Sequence, residues 1–442
     1  MSSGRFDALV VGAGPAGSTA ALVLARGGAR VALVDKAAFP RDKACGDLVG
    51  PRGVQVLSDL GIGMTEAATV GDMIVVGPTG RRVRLPAFTG RTYPGHAIAV
   101  PRRDFDDALR NAALAAGAEA ITGRAERPLF GDAGLEGFAL SSGAELRADI
   151  VLGADGATSR VAAAADLVDP QRVLWAFAVR AYTEAHTDRP HIAFWEPTRG
   201  RAFPGYGWLF PGPAGHSNLG LGIGMRSARN AASTVTRQLP AFITHLRELG
   251  LIDTGTHRNP LGGWLKLGLV GTTPARGRVL LIGDAAGLVN PLQGEGIGAA
   301  LASGRAAAEA TLSGPPRAVA RYRAYLRTTH VRYMASTAPA HAALLGRPRT
   351  IAVLARALTA PIVSTAIAGA WSLYWNDLIV GATRRPSAAV AGAVAELGSL
   401  ATSRSDTARW ITQTLETDAP APALNGGDVP ADVADVESLD HA

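Results

Sequence analysis

The chain has little of what disulfide, metal or nucleic-acid sites require. Its 442 residues include one cysteine, Cys45, which cannot form an intramolecular disulfide or a cysteine-ligated zinc site. The nine histidines show no metal-ligand spacing, so we expect no metal site. No basic run contains interleaved aromatic residues, so we do not expect nucleic-acid binding. The first residues lack the charged and apolar blocks of a signal peptide, which predicts folding in the cytoplasm.

Size, composition and charge describe a protein of several domains. A chain of this length with 47% hydrophobic and 18% charged residues can bury two or three cores. The segment 416–442 is rich in Ala, Pro and Gly, holds seven acidic residues and no Lys or Arg, and is predicted to be disordered. Without those seven acids the net charge of +7 becomes +14, a balance compatible with contact to an anionic membrane.

The N-terminal segment has the pattern of a dinucleotide-binding βαβ unit. The apolar run Phe6–Val11 predicts a strand, and Arg30–Val34 predicts a second one that ends at Asp35. Between them, a glycine-rich turn opens a helix, and we expect this turn to hold a pyrophosphate at the helix N-terminus. The turn consists of Gly12, Ala13, Gly14, Pro15, Ala16 and Gly17. Asp35 is expected to accept hydrogen bonds from an adenosine ribose, in FAD or in NAD alike.

A second glycine-rich segment, Val279–Ala300, decides between these cofactors. The apolar run Val279–Ile282 leads into Gly283-Asp284, and Pro291 and several glycines precede an Ala-rich helix. A simple dehydrogenase has no need of this segment, whereas in a flavoprotein Asp284 can bind the ribityl chain. Backbone amides near Gly296 and Ile297 can then face the flavin pyrimidine, where a helix dipole stabilises negative charge. FAD is therefore the predicted cofactor.

Between these two segments the pattern changes to strands. Residues 173–224 contain strand-like runs separated by Gly and Pro, which predicts an antiparallel sheet inserted into the first domain. We expect an FAD-binding domain formed by residues 1–70, 100–165 and 275–345, and a substrate-binding sheet domain formed by 71–99 and 166–274. A helical region should follow at 346–415.

Several motifs carry a family resemblance. Gly153-Ala154-Asp155-Gly156 with Ser159-Arg160, and Arg102 ahead of Phe105-Asp106, resemble the flavoprotein superfamily that includes the aromatic hydroxylases. Phe39–Asp47 and Tyr206-Gly207-Trp208-Leu209-Phe210-Pro211 resemble its geranylgeranyl reductase family, most closely the actinobacterial members that reduce the prenyl tail of menaquinone. The resemblance implies an α/β fold, with a Rossmann-like FAD-binding domain of the aromatic-hydroxylase type, an inserted, mainly antiparallel sheet and a helical C-terminal region.

The resemblance also implies an activity. Family members saturate isoprenoid double bonds by hydride transfer from N5 of reduced flavin, so we expect a prenyl lipid or prenylquinone as substrate. Lys36, Gly46, Asp47 and Arg102 join the predicted cofactor-binding residues. Cys45 is placed beside the isoalloxazine, as a catalytic residue or as a packing or flavin contact.

Tyr206, Trp208 and Phe210 are the predicted substrate-binding residues. A prenyl chain requires a long apolar channel, and the inserted segment is dense in aromatic residues that could form it; ordinary core packing should account for about half of them. These are Trp175, Phe177, Phe194, Trp195, Phe203, Trp208 and Phe210. No second nucleotide site is recognisable, so the electron donor is not identified.

Two alternatives remain at this point. An FAD-dependent monooxygenase of the aromatic type shares all three dinucleotide fingerprints but not the loop at Cys45 or the aromatic motif. A membrane-associated flavin electron carrier would bind FAD and lipid without forming a product.

The C-terminal region contains an uncharged stretch of 19 residues, Ala357–Trp375, interrupted by Pro361. It could form a core helix, a helix lying in the membrane interface or a helix that spans the bilayer. With a basic body and a lipid substrate, we expect peripheral contact with an anionic membrane, at the inner face of the cell membrane.

Overall fold

A computed structural model describes residues 5–88, 90, 92–225, 231–253, 255–379 and 385–416. The predicted disordered tail lies outside the described residues, apart from Glu416, which ends a helix. The strands in the described part are β1 (Phe6–Val11), β2 (Val31–Asp35), β3 (Leu48–Val49), β4 (Ala68–Val70), β5 (Met73–Val76), β6 (Arg82–Leu85), β7 (Ala97–Ala99), β8 (Glu119–Thr122), β9 (Ala125–Gly131), β10 (Gly134–Leu140), β11 (Glu145–Gly153), β12 (Leu174–Thr183), β13 (His191–Ala193), β14 (Gly205–Pro211), β15 (Ser217–Met225), β16 (Arg258–Leu267), β17 (Ala275–Arg276) and β18 (Val279–Leu281).

Helices cover the sheets and form the C-terminal region. They are α1 (Pro15–Arg26), α2 (Pro51–Asp59), α3 (Arg102–Ala115), α4 (Arg160–Ala164), α5 (Ala231–Glu248), α6 (Ile297–Leu312), α7 (Pro315–Leu326), α8 (Arg332–Leu344), α9 (Pro348–Leu358), α10 (Pro361–Trp375), α11 (Arg385–Thr402) and α12 (Asp406–Glu416). A π-helical turn, Arg327–Val331, joins α7 to α8.

The first sheet is the predicted Rossmann-like core. Its strands run in the order β17-β18-β11-β1-β2-β8, and β9 and β10 extend it from β11 as antiparallel strands. β1 is parallel to β2 and to β11, and β11 is parallel to β18. These strands are nearly continuous runs of buried apolar residues because helices cover both faces of a parallel sheet. The carboxyl ends of β1, β11 and β18 therefore meet at one edge, where both glycine-rich segments begin.

The second sheet is the predicted inserted one. Its order is β16-β12-β15-β14-β13-β5-β6, and all its strand pairs are antiparallel except the pair of β13 with β5. Residues 97–99 do not join it: β7 pairs with β3 and β4 in a small third sheet. The substrate-domain segment that we predict at 71–99 thus contributes strands to two different sheets.

Helix α5 covers one face of the second sheet, and the aromatic residues of the sheet fall into two clusters, one on each face. Phe177, Trp195 and Phe203 pack in a core with Phe242 of α5. Tyr206, Trp208, Phe210 and Phe194 belong to a separate cluster on the opposite face. The expected aromatic channel is therefore formed by only part of the aromatic set, and Phe177, Trp195 and Phe203 are ordinary core residues.

The uncharged stretch at 357–375 is not one helix. Helix α9 ends at Leu358, α10 begins at Pro361, and the two axes are bent by 90°. The bend follows from Pro361, because a residue before proline disfavours helical backbone and Ala360 is extended. No single helix among the described residues is long and apolar enough to cross a bilayer, although α9 and α10 together meet that test by length and composition. The spanning interpretation as one straight helix is therefore wrong.

Candidate active site

One cavity of about 980 Å³ lies where the two large sheets meet the C-terminal helices. Fifteen of the eighteen predicted site residues line it: Gly12, Gly14, Pro15, Ala16, Asp35, Lys36, Cys45, Gly46, Arg102, Tyr206, Trp208, Phe210, Asp284, Gly296 and Ile297. The other three, Ala13, Gly17 and Asp47, lie behind this wall. The structure thus brings the predicted residues together, and their individual roles toward a cofactor or substrate stay predictions.

The first glycine-rich turn leaves room for a ligand close to the backbone. Gly12 has a φ of 102°, and a Cβ there would lie 2.3 Å from the carbonyl oxygen of Ala154. Gly14 is the N-cap of α1 and provides no side-chain cap, and with Pro15 and Ala16 it places the start of this helix at the cavity wall. Gly17 packs on the turn itself, since a Cβ there would lie 1.8 Å from the oxygen of Gly12.

Asp35 stabilises the same turn. Its carboxylate accepts hydrogen bonds from the backbone N–H of Ala13, at 2.7 Å, and of Ala37, at 2.9 Å. Ala13 is fully buried and so supports the turn from behind. Asp35 still lines the cavity, at the end where an adenosine is expected.

The second glycine-rich segment presents another helix N-terminus to the cavity. Gly296 is the N-cap of α6 and provides no side-chain cap itself, but Oε1 of Glu295 accepts a hydrogen bond of 2.5 Å from the backbone N–H of Gly298 in the first turn. A Cβ at Gly296 would lie 3.3 Å from Oδ1 of Asp284. Burial raises the pKa of the Asp284 carboxyl, and Lys43, Arg102 and Lys266 oppose that effect with positive charge. Two helix N-termini in one cavity fit an elongated dinucleotide with a central pyrophosphate, so the residues present fit FAD.

Arg102 is held in the cavity wall by its own helix. Its Nε and Nη2 donate to the two carboxylate oxygens of Asp106 at 2.7 Å each, one turn further along α3. Arg41 adds a second ion pair to Asp106 at 3.0 Å. Because Asp106 is fully buried, the paired guanidinium groups keep fixed positions at the cavity surface.

The segment Phe39–Asp47, which we call the Cys45 loop, is anchored by a residue that sequence reasoning did not identify. Asn218 of β15 donates from Nδ2 to the carbonyl oxygen of Cys45, at 2.8 Å, and to Oδ2 of Asp47, at 2.9 Å. Its Oδ1 accepts from Nε1 of Trp208 at 2.9 Å. A single buried amide therefore joins the loop to the aromatic strand. No sequence signal marks Asn218, because Cys45 and Asp47 lie 173 and 171 positions away along the chain.

Asp47 is part of this anchor. It is buried with a φ of 59°, and it accepts a hydrogen bond of 2.6 Å from the hydroxyl of Tyr182. Burial raises the pKa of Asp47 to about 6, while the hydrogen bonds from Tyr182 and Asn218 act in the opposite direction. The carboxylate is directed at these protein donors, and the cofactor contact that we predict for Asp47 stays a prediction.

The thiol of Cys45 is kept in its neutral form. Burial raises the pKa of Cys45, and the positive charge of Arg102 only partly opposes this. A thiol with a raised pKa carries its proton at neutral pH. Cys45 thus brings an S–H group to the cavity wall.

The aromatic motif forms the opposite wall. The Tyr206 hydroxyl donates to the carbonyl oxygen of Gln293, which ties β14 to the second glycine-rich segment. Trp208 and Phe210 stack with centroids 6.2 Å apart. A Cβ at Gly46 would lie 2.8 Å from the Phe210 ring, so the Cys45 loop rests directly on this wall.

The remaining wall is apolar and comes from the C-terminal helices. It includes Leu344, Leu345, Ile351, Leu354, Leu358, Ile367, Trp371, Val390 and Val394 of α8 to α11 and their connections. Trp375 of α10 reaches Tyr206 with ring centroids 6.3 Å apart. A polar cradle at one end and an apolar arm at the other suit a dinucleotide and a hydrocarbon chain that meet near Cys45.

Among the described residues no group of acids, histidines and cysteine could hold a metal ion.

Comparison with known proteins agrees with this geometry. A family model described as an FAD binding domain matches residues 5–195. The chain is 36% identical over 320 residues to a protein named menaquinone reductase from Mycolicibacterium smegmatis, an alignment that covers 70% of this chain and 77% of the relative. It is 35% identical over 322 residues to a geranylgeranyl diphosphate reductase from Rhodobacter capsulatus, with 70% and 75% covered.

Solved structures confirm the predicted fold. A geranylgeranyl bacteriochlorophyll reductase-like protein from Thermoplasma acidophilum superposes with a TM-score of 0.68 at 22% identity, covering 84% of this chain and 96% of that one. A flavin-dependent brominase superposes with a TM-score of 0.65 at 16% identity, covering 89% and 99%. Together with the family model, these similarities support FAD as the cofactor.

Proposed function

Because the chain belongs to the geranylgeranyl reductase family of FAD-dependent oxidoreductases, we propose that it saturates isoprenoid double bonds on the prenyl tail of a menaquinone-type quinone. The observation that carries this proposal is the continuity of one cavity from the dinucleotide cradle, past Cys45, into an apolar arm. The similarity to proteins named as reductases favours this activity over a monooxygenase or an electron carrier.

We assign the two helix N-termini to the anionic parts of the cofactor. The backbone around Gly14 would hold the pyrophosphate, and the amides of Gly296 and Ile297 would face the flavin pyrimidine. Asp35 and Lys36 would bind the adenosine end, while Arg102 and Asp284 would flank the ribityl chain. Once bound and reduced by an external electron donor, FAD would supply the hydride that reduces the double bond.

The protein's own part in the reaction is to orient the prenyl chain of the substrate, exclude water and supply a proton. Saturating a double bond adds a proton to the carbon that does not receive the hydride. We assign this proton to Sγ of Cys45, since burial keeps the thiol protonated and the loop anchored by Asn218 fixes its position. Tyr206, Trp208 and Phe210 would hold the chain against this loop and keep water out.

We also propose that the enzyme works at the cytoplasmic face of an anionic membrane. Its substrate resides in the bilayer, and the chain without its acidic end carries a net charge of +14. Peripheral contact fits these properties without a membrane-spanning segment.

The test is product formation by the purified flavoprotein. The protein is reduced without oxygen and given menaquinone in detergent, and the quinone is then analysed by mass spectrometry. We expect two added hydrogen atoms for each bond reduced. Oxygen incorporation under air would instead establish a monooxygenase, and the absence of any product would favour the electron carrier.

Cys45→Ala is the matched variant for the proton assignment. It should bind FAD as the wild type does and turn over more slowly, with most of the loss in kcat. Unchanged kcat in a variant with full flavin content would remove Cys45 from the reaction.

A further inference from the structure

The large apolar side chains that the structure describes as exposed are concentrated in one place. Of eleven large hydrophobic residues exposed among the described residues, nine lie on α9, α10 and α11. We name these nine the portal face: Val353, Leu354, Ile362, Val363, Ile367, Val390, Val394, Leu397 and Leu400. A water-soluble monomer rarely exposes this many large apolar side chains on adjoining helices, so the portal face marks a contact surface.

The spacing of these residues shows that they form continuous stripes. Val390, Val394 and Leu397 are separated by four and three positions, which places them on one side of α11. Ile362, Val363 and Ile367 occupy the first two turns of α10, and Ile362 is 84% exposed. Helix α10 contains no charged residue. Because α10 packs against α11, the two stripes are neighbours.

The portal face is continuous with the cavity. Leu354, Ile367, Val390 and Val394 are exposed to solvent and also line the cavity whose deeper wall includes Cys45. The same side chains therefore form the outer surface and the mouth. A ligand seated on this face has an apolar route inward.

Positive charge borders the portal face at the start of α9. Arg347 and Arg349 are exposed there, and Arg199 and Arg201 are exposed on the neighbouring turn. A backbone hydrogen bond of 3.0 Å, from Ala202 to Pro348, holds the two segments together. The nearby acid Glu196 is neutralised by Arg356 at 2.6 Å. An apolar face with a basic rim complements an anionic lipid surface, whereas a symmetric dimer through this face would bring two basic rims together.

We propose that the portal face docks on an anionic bilayer and admits the prenyl chain from the lipid directly into the cavity. This inference rests on the proposed function, because it assigns an entry route to the substrate of that reaction. The prenyl chain then passes from the lipid directly into the apolar cavity and is never exposed to water. Exposure of a hydrocarbon to water would be unfavourable.

The experiment compares two matched double variants of the full chain. Ile362→Asn with Leu397→Asn changes the portal face outside the cavity wall. Phe130→Asn with Leu312→Asn makes the same kind of change at exposed apolar residues elsewhere, at 56% and 42% exposure. Vesicles of phosphatidylcholine with phosphatidylglycerol, carrying menaquinone, serve for co-sedimentation and for turnover.

We expect the portal variant to bind these vesicles at least tenfold more weakly than the wild type, and the control to bind normally. Turnover of vesicle-borne menaquinone should fall in parallel, while turnover of a short-chain quinone in detergent should stay unchanged. Vesicle binding by the portal variant equal to that of the wild type would overturn the proposal. So would light scattering that shows a wild-type dimer dissociated by the portal substitutions, because the face would then be a self-interface.

The two proposals fail separately. If portal substitutions weaken vesicle binding but no variant reduces any prenyl substrate, docking stands and the proposed function is wrong. If detergent-borne quinone is reduced but vesicle binding ignores the portal face, the function stands and the entry route is wrong.

Discussion

Replacing Asn218 with alanine removes the side chain that joins the Cys45 loop to the second sheet. Asn218 is buried and makes three hydrogen bonds of 2.8 to 2.9 Å, to Cys45, Asp47 and Trp208. The bonds to Cys45 and Trp208 link neutral groups and contribute about 1 kcal/mol each, while the bond to the Asp47 carboxylate contributes about 2 kcal/mol. We therefore expect the free energy of unfolding to fall by about 4 kcal/mol.

The assay is equilibrium unfolding of the flavin-loaded protein in urea, followed by tryptophan fluorescence. Asn111→Ala is the matched control, since Asn111 makes one exposed hydrogen bond of 2.9 Å to Asp107. That variant should lose no more than about 0.5 kcal/mol. Equal stability of Asn218→Ala and Asn111→Ala would refute the assignment of Asn218 as the anchor of the loop.

Asn218→Asp removes the two hydrogen bonds that the Asn218 amide donates and keeps the one that it accepts. The aspartate can still accept from Trp208, but it cannot donate to Cys45 or Asp47, and it places a second carboxylate beside Asp47. The pair should raise the pKa of the Asp47 carboxyl further above its ordinary value, because two negative charges repel. A raised carboxyl pKa in the folded state means that the folded protein binds more protons, so acidification should stabilise this variant relative to wild type. A pH dependence identical to that of wild type would contradict this arrangement.

Two other substitutions test the cofactor cradle and the buried core. Gly12→Ala should lose FAD, because its Cβ would lie 2.3 Å from the Ala154 oxygen. Gly28→Ala is the control and should keep FAD, because Gly28 has a similar positive φ but a Cβ there would meet nothing within 4 Å. The measurement is flavin absorbance per protein, and equal flavin contents of the two variants would argue against the cradle. His330 is buried and its pKa is lowered to about 3, so the unfolded state takes up its proton first as the pH falls below 6.5. Between pH 6 and 4.5 the wild type should therefore lose about 2 kcal/mol more stability than His330→Phe, and parallel pH–stability curves would contradict this.

Much of the fold could be predicted from sequence because its signals are local. The run Phe6–Val11, the glycine turn and Asp35 specify one βαβ unit within about thirty residues, and β1 has the predicted bounds. The second glycine segment adds Asp284 and Gly296 in the same local way. Resemblance added the Cys45 loop and the aromatic motif, and the structure places both at the cavity.

The aromatic residues show where local signals end. Alternation along β14 puts Tyr206, Trp208 and Phe210 on one face, because successive side chains of a strand point to opposite sides. It does not say which face meets the cavity. That depends on α5, which covers the other face and packs Phe242 against Gly207, where a Cβ would lie 2.0 Å from the Phe242 ring.

The sequence by itself determined the glycine-rich turns that the structure places at the cavity, the class of fold and the apolar character of the C-terminal region. Only the tertiary structure decided that Asn218 anchors Cys45 across 173 positions of the chain, and that the bend before Pro361 places α9 and α10 around the cavity mouth. The reason is physical: a glycine turn or a proline acts on its own backbone, whereas a hydrogen bond between distant strands exists only once the sheets have packed.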